Sequence, residues 1–366
     1  MPILEVLAEV PDPRRYNAQH DLTDILFVAF AAMLCGATNC TEMALFAEAR
    51  LEFLRQFVPL KDGAPSHDTF SRIFRMLDPA AFQAMFQRLI AAFGQEARQD
   101  GGRQVALDGK SLRRAYEKGR AHMPPLVVTV FDCETFLSLS QQVAGTGGET
   151  EAAIKAVELL SLDGALVSGD ALHCHRRLTK AVRERGGHYL LTIKGNQSKL
   201  AKEANAALDA AAEQPQTPIA ETHDDGHDRD EVRRCIVVRF RQSPGPKALV
   251  DLLAVARVES WRTVGAKTTY KVRTYALSKL MTPMEVLAAS RRHWQIENNL
   301  HWQLDVSMRE DEIRSRKDNA PANLAALNRL VLNVLRAEPS KRPLSHKKLM
   351  ARWADEHLLS LLTHMR

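Results

Sequence analysis

Apolar residues recur at helical spacing through most of the first hundred positions. Asp21-Leu22-Thr23-Asp24 can start a helix that runs through Phe27, Phe30 and Met33. From Asn39 to Phe57 the apolar positions are Met43, Phe46, Ala47, Leu51, Leu54 and Phe57, again one helical face. Pro65-Ser66-His67-Asp68 is a capping turn ahead of Phe70, Ile73, Phe74 and Leu77, and Asp78-Pro79 ends that helix and begins another that reaches about Phe93. Residues 1–98 therefore read as a helical N-terminal domain. Short helices with Arg72 and Arg75 on one of them fit a DNA-reading module or a plain packing domain, and no sharp helix-turn-helix pattern decides between them.

After a polar, glycine-bearing linker at 95–103 the texture changes to short apolar runs. Gln104–Asp108, Pro125–Phe131 and Thr135–Val143 read as strands, Thr150–Leu160 as a helix and Ala165–Asp170 as a buried strand. Arg176–Arg185 is a second helix and His188–Lys194 a fifth strand. The order β-β-β-α-β-α-β predicts an α/β domain, a mixed sheet with covering helices, over 103–340. About 200–280 reads as a β-rich insertion: a polar loop from Glu221 to Asp230, then strand-like runs at Cys235–Phe240, Leu252–Glu259 and Thr268–Leu277. From Pro283 the pattern is helical through Trp294, Ile296, Leu300 and Leu304, and again over Asn319–Leu335. Residues 341–366 read as a basic tail with Lys341, Arg342, Lys347 and Lys348.

The composition narrows the class. The chain has 366 residues, room for about two domains. Its most apolar stretch, Ile25–Leu34, is too short to span a bilayer, and Met1–Val10 has no basic signal-peptide region. Five scattered cysteines contain no C-x-x-C pair, so neither a disulfide framework nor a zinc ribbon is indicated, and a cytoplasmic setting is expected. A net charge of +6 permits a polyanionic partner such as DNA without requiring one.

Two aspartates, Asp108 and Asp170, end core strands, where open α/β sheets present ligands. Carboxylates held there can bind Mg²⁺, a hard cation that takes oxygen ligands. With a third acid they can hold two ions about 3.5–4 Å apart, one at the attacking and one at the leaving oxygen of a phosphodiester. The bland alternative is that both simply begin turns, as Asp108-Gly109 often would. The best third acid is Glu297, in a segment where His293, Glu297 and His301 are spaced four apart on one helical face. Asp305, Glu310, Asp311 and Glu312 rank below it as a solvated run.

These residues carry a resemblance. Pro65-Ser66-His67-Asp68-Thr69-Phe70, Ala106-Leu107-Asp108-Gly109-Lys110, Gly169-Asp170-Ala171-Leu172-His173 and Lys194-Gly195-Asn196-Gln197 occur in order. So does His293-Trp294-x-Ile296-Glu297-Asn298-x-Leu300-His301-Trp302-x-Leu304-Asp305-Val306, which is the most specific. Together they resemble bacterial insertion-sequence transposases of the H-repeat-associated DDE type, nearly end to end. The resemblance implies an RNase H-like core with Asp108, Asp170 and Glu297 as catalytic, metal-binding triad, and Mg²⁺ with Mn²⁺ as substitute. It also implies the β-rich insertion before the last catalytic helix and a helical associated domain. The expected partners are double-stranded DNA, as terminal inverted repeats and target, and a second copy in a DNA-bound homodimer. The protein is then expected at the nucleoid when bound. Related transposases carry Tyr, Arg and Lys seven before, four before and seven after the Glu; here those places hold Ser290, His293 and Leu304. Phosphate contacts made there must fall to others, such as Arg291, Arg292 or His301.

Lys110 and Arg113 after the first Asp, and Lys194 at a strand end, are further candidates to grip phosphate, as is His293. His173-Cys174-His175 lacks a second ligand pair and does not indicate zinc. Trp294 suits either base stacking or a core. Gly145-Thr146-Gly147-Gly148 is not followed by Gly-Lys-Ser/Thr, so no nucleotide partner is expected, and the short apolar stretch Ile25–Leu34 gives no reason to expect a membrane. Two alternatives stay open: a metal-dependent nuclease without strand transfer, and a domesticated, non-catalytic DNA-binding protein.

Overall fold

The N-terminal helices start where side chains can satisfy their free N–H groups. Asp21 accepts from Thr23 N, Asn39 from Glu42 N and Ser66 from Thr69 N. In this computed structural model, which describes residues 2–14, 18–93, 103–115, 124–145, 147–226 and 229–363, six helices precede the sheet. They are α1 (Pro2–Ala8), α2 (Leu22–Leu34), α3 (Cys40–Ala49), α4 (Leu51–Leu54), α5 (His67–Met76) and α6 (Pro79–Phe93). Nearly all of α2 is buried, which explains its almost unbroken apolar sequence. The expected linker lies outside the described residues except for Arg103.

Among the described residues nine strands form one mixed sheet: β1 (Gln104–Ser111), β2 (Leu126–Asp132), β3 (Ser138–Val143), β4 (Leu166–Gly169), β5 (His188–Ile193), β6 (Ile219–Gly226), β7 (Arg229–Arg239), β8 (Ala254–Val264) and β9 (Lys267–Leu277). Their order across the sheet is β3-β2-β1-β4-β5-β9-β8-β7-β6. β1, β2 and β3 form an antiparallel meander, whereas β4 lies parallel to β1 and β5 parallel to β4. The chain is thus mixed α/β, with α7 (Gly148–Glu158), α8 (Arg176–Glu184) and α9 (Ser198–Ala212) between strands.

The expected β-rich insertion joins this same sheet, because β9 pairs antiparallel with β5 through Leu190–Leu277 to Ile193–Thr274. One correction concerns Glu221–Asp230: most of that segment is not a loop but strand β6 and the start of β7. Its residues alternate exposed and half-buried on a sheet edge, so polarity marks an exposed strand there. β8 and β9 are buried at the end next to β5 and exposed at the far end, so the ribbon projects beyond the core.

After the sheet come α10 (Pro283–His293), a π-helical stretch Ile296–His301, α11 (Trp302–Val306), α12 (Ala320–Ala337), α13 (Leu344–Trp353) and α14 (Asp355–Thr363). The segment read as a basic tail therefore forms two helices. Ala351, Leu358, Leu361 and Leu362 are buried there, and the Lys347 ammonium caps α12 by donating to Leu335 O at 2.9 Å and Glu338 O at 2.6 Å.

Helix α12 joins the helical half to the sheet. Asn323 Nδ2 donates to Phe74 O at 2.9 Å and Leu77 O at 3.0 Å, satisfying the end of α5. Asn333 holds Ser138 of β3 in both directions, at 2.9 and 2.8 Å. Apolar contacts run without a break from α1 through the sheet to α14, so the strand ends are backed by one rigid core.

Candidate active site

Register places the two aspartates side by side. β1 and β4 are parallel, and their last paired residues are Leu107 and Gly169. Asp108 and Asp170 are the next residue on each chain, on neighbouring strands roughly 4.8 Å apart. Asp108 remains in β1, opposite Thr129 of β2. Asp170 leaves β4 and caps a 3-10 turn, Ala171–His173, by accepting from Leu172 N at 2.9 Å. The turn-starting role of Asp170 and a place at the site thus coexist.

Glu297 comes from the segment that follows α10 and packs against β1. Thr282 and Glu285 form a capping box with Pro283 in the first turn, which fixes the start of α10. Gln104 Nε2 donates to Ala289 O at 2.8 Å and ties that helix to β1. The following π-helical stretch carries Glu297 and His301, and such stretches frequently occur at functional sites.

The electrostatics record the convergence. The Asp108 carboxyl is pushed up to about 7, first by burial and then by repulsion from Asp170, Glu297 and Glu149, against one hydrogen bond from Gly109 N that favours the charged form. Glu149, in the first turn of α7, is also raised by burial and by Asp170.

Three histidines surround these acids, and burial holds each neutral. His301 is lowered to about 3, and His293 and His173 to about 4, the last two despite attraction from Asp170. His301 Nδ1 lies 3.8 Å from Asp108 Oδ2. His293 Nδ1 lies 3.2 Å from Ser168 Oγ, whose own proton goes to Val105 O at 3.1 Å. His293 must then carry its proton on Nδ1, leaving Nε2 an acceptor.

Other expected contacts are placed differently. The Lys110 ammonium is buried against Asp305 at 2.6 Å and Asp311 at 3.1 Å, and Arg113 lies 3.4 Å from Asp311. Glu310 is fully buried on Arg329 at 2.9 Å, and Glu312 meets Arg309 at 2.5 Å. The acidic run 305–312 is thus neutralised by its own cations. Arg291 is exposed and paired with Asp224 of β6, and Arg292 is exposed. Lys194 is exposed at the end of β5, in an open groove also lined by Arg273, by Arg257 paired with Asp209 at 2.6 Å, and by Tyr270, which donates to Glu259. The Arg273 guanidinium stacks 4.9 Å from the ring of Trp294, which is 36% exposed and so no core residue.

Sequence reasoning missed Glu149, Arg257 and Arg273. The helix was expected to begin at Thr150, one residue past Glu149; the glycines at 147 and 148 just before it were the available signal. No local pattern marks the two arginines.

The family profile described as "Transposase DDE domain" matches residues 99–334, and the one described as "DDE_Tnp_1-associated" matches residues 4–90. The chain is 28% identical over 356 residues to "H repeat-associated putative transposase YhhI" of Escherichia coli (strain K12), covering 91% of this chain and 90% of that one. It is 30% identical over 348 residues to "Putative transposase YncI" of Escherichia coli O157:H7, covering 91% and 87%. It is 35% identical over 286 residues to "Uncharacterized protein in dhlA 3'region" of Xanthobacter autotrophicus, covering 75% and 93%. With both profiles in the expected order and relatives matched along nearly their full length, the chain belongs to the DDE transposase family, among the H-repeat-associated proteins of bacterial insertion sequences.

Proposed function

We propose that this protein cuts DNA at the ends of its own insertion sequence and joins the freed 3′-OH to target DNA, using Asp108, Asp170 and Glu297 as its metal-binding triad. The observation that carries the reading is the strand register that sets Asp108 and Asp170 at neighbouring ends of β1 and β4, with the π-helical stretch that bears Glu297 packed against β1. The neutralisation of Asp305, Glu310, Asp311 and Glu312 by neighbouring cations supports Glu297 as the third member. The antiparallel meander followed by two parallel strands supports an RNase H-like core.

The donors fit hard divalent cations. They are carboxylate oxygens on rigid strand ends, crowded by like charge, with no Lys or Arg bonded to Asp108 or Asp170 among the described residues. When bound, Mg²⁺, or Mn²⁺ in its place, would supply the positive charge that offsets what builds on the attacking and leaving oxygens in an in-line displacement. The protein's own part is to hold the acids in register, keep His293 and His301 uncharged beside them and seat the phosphodiester. Lys194, Arg273 and Trp294 offer a charged and aromatic track for that backbone. Residues 1–98 serve as the associated domain that helps bind the terminal inverted repeats in a homodimer, and 103–340 as the catalytic domain, with 341–366 following it.

The test is incubation of the purified protein with DNA carrying its flanking ends, with and without Mg²⁺ or Mn²⁺, beside Asp170→Ala and Glu297→Ala. Metal-dependent nicking at the ends, lost in both variants, is expected. Cleavage that persists in both would remove the site assignment. Specific binding without cleavage by the native chain would favour a domesticated DNA-binding protein.

A further inference from the structure

Two side chains outside the triad reach the same point. Glu149 comes from the first turn of α7, and His173 from the 3-10 turn after Asp170. One oxygen of Asp108, one of Glu149 and one ring nitrogen of His173 all lie within 4.8 Å of one another. Ligands of a single small cation stand about 3 Å apart when adjacent and about 4.2 Å apart when opposite, so these three atoms can share one ion with little movement.

His173 is the second, independent sign. Its side chain is fully buried, yet neither ring nitrogen has a hydrogen-bond partner among the described residues. A buried polar group left unpaired is costly and calls for an explanation. Its Nε2 lies 3.6 Å from Glu149 Oε1 and 3.9 Å from Asp170 Oδ1. Those distances are too long for hydrogen bonds and suit groups gathered about a common ion.

The two glycines beside the aspartates keep the space open. A Cβ at Gly109 would lie 2.5 Å from Glu149 Oε1, and one at Gly169 would lie 3.3 Å from His173 Cβ. Any larger residue at 109 would displace the Glu149 carboxylate.

We propose that Glu149 and His173 join Asp108 as direct ligands of one divalent ion, making a mixed carboxylate–imidazole site that holds Mn²⁺ more tightly than Mg²⁺. The inference rests on the reading of this cluster as a metal-dependent phosphoryl-transfer centre. Mg²⁺ usually takes one or two carboxylates and keeps its waters, whereas an imidazole nitrogen favours first-row transition ions.

The experiment is Mn²⁺ binding to the full chain without DNA, followed by electron paramagnetic resonance with Mg²⁺ as competitor. Pulsed measurements on the bound ion read directly coordinated ¹⁴N. The native protein should bind Mn²⁺ about tenfold or more tightly than Mg²⁺ and show imidazole ¹⁴N coupling. His173→Gln should abolish the coupling, and His173→Gln and Glu149→Gln should each weaken Mn²⁺ binding about tenfold or more. If His173→Gln does not fold, His293→Gln and His301→Gln decide: coupling retained in both supports His173, and coupling lost in either overturns it. Mn²⁺ bound through Asp108 and Asp170 without ¹⁴N coupling, and with native affinity in Glu149→Gln, overturns this inference and leaves the proposed function standing. Absence of Mn²⁺ binding to the native protein overturns both.

Discussion

The two arms of the sheet handle charge in opposite ways. In β3-β2-β1-β4-β5, charged groups are drawn inward: Asp108 is half-buried in β1, and Arg329 and Glu310 are fully buried as a pair that also reaches Thr129 of β2. In β9-β8-β7-β6 the far ends of the strands are exposed, and Arg257, Arg273 and Tyr270 line an open groove with Lys194. The like charges gathered at the first arm's strand ends repel one another and suit a cation. In the second arm Arg257 is already paired with Asp209 at 2.6 Å, which leaves Lys194 and Arg273, among the described residues, to meet an anion.

The largest expected effect lies in the first arm. Asp108→Asn, Asp170→Ala and Glu297→Gln should each lower end cleavage on the order of a thousandfold, equal to about 4 kcal/mol of transition-state stabilisation, while gel-shift binding to the ends persists. Loss of binding together with cleavage would erase the division of labour between the arms.

Next in size is the buried pair. Arg329→Met leaves Glu310 uncompensated in the core and should destabilise the fold by about 3–5 kcal/mol in a denaturant titration. The double variant Arg329→Met with Glu310→Leu should recover most of that. Equal losses in the single and double variants would show that packing, rather than charge, is what matters there.

A smaller effect follows from Asp108. Its folded pKa of about 7 stands above the ordinary value of 3.8, so the folded state holds this proton more tightly than the unfolded one. The metal-free protein should therefore lose stability as pH rises from about 4 through about 7, seen as a lower Tm at pH 8 than at pH 6. Divalent metal should raise Tm more at pH 8 than at pH 6, and Asp108→Asn should flatten the metal-free slope. A metal-free Tm with the same slope in Asp108→Asn would place the burden elsewhere.

The second arm should respond most mildly. Arg273→Ala should weaken DNA binding several-fold and lower the salt slope of log K by about 1, with metal binding unchanged. An unchanged salt slope would take the groove out of the DNA path.

The sequence made the first arm legible because its strands are buried. Ala165–Asp170 and His188–Lys194 are short apolar runs, and the structure ends them within a residue of the expected limits. The second arm was harder to see. β6 has an edge-strand pattern with no apolar face, so its Glu, His and Asp residues read as a loop. The C-terminal helices were hidden by charge, since Lys347 and Lys348 suggest solvent while Lys347 is in fact buried against α12. At the site, Asp108 and Asp170 announce themselves by ending strands. Glu149 does not, because only the packing of α7 on β1 and β2 brings it back to Asp108 across 41 residues of chain.

The measurement that bears most directly on the central claim uses a pre-cut insertion-sequence end and a supercoiled plasmid, with Mn²⁺ or Mg²⁺ present. The end carries either a 3′-OH or a 3′-deoxy terminus. If one metal-dependent site both cuts and joins, the 3′-OH end becomes covalently linked to the plasmid, the 3′-deoxy end does not, and Glu297→Gln abolishes the product. Efficient cleavage of uncut ends with no joining of the 3′-OH end would contradict strand transfer and leave a metal-dependent nuclease.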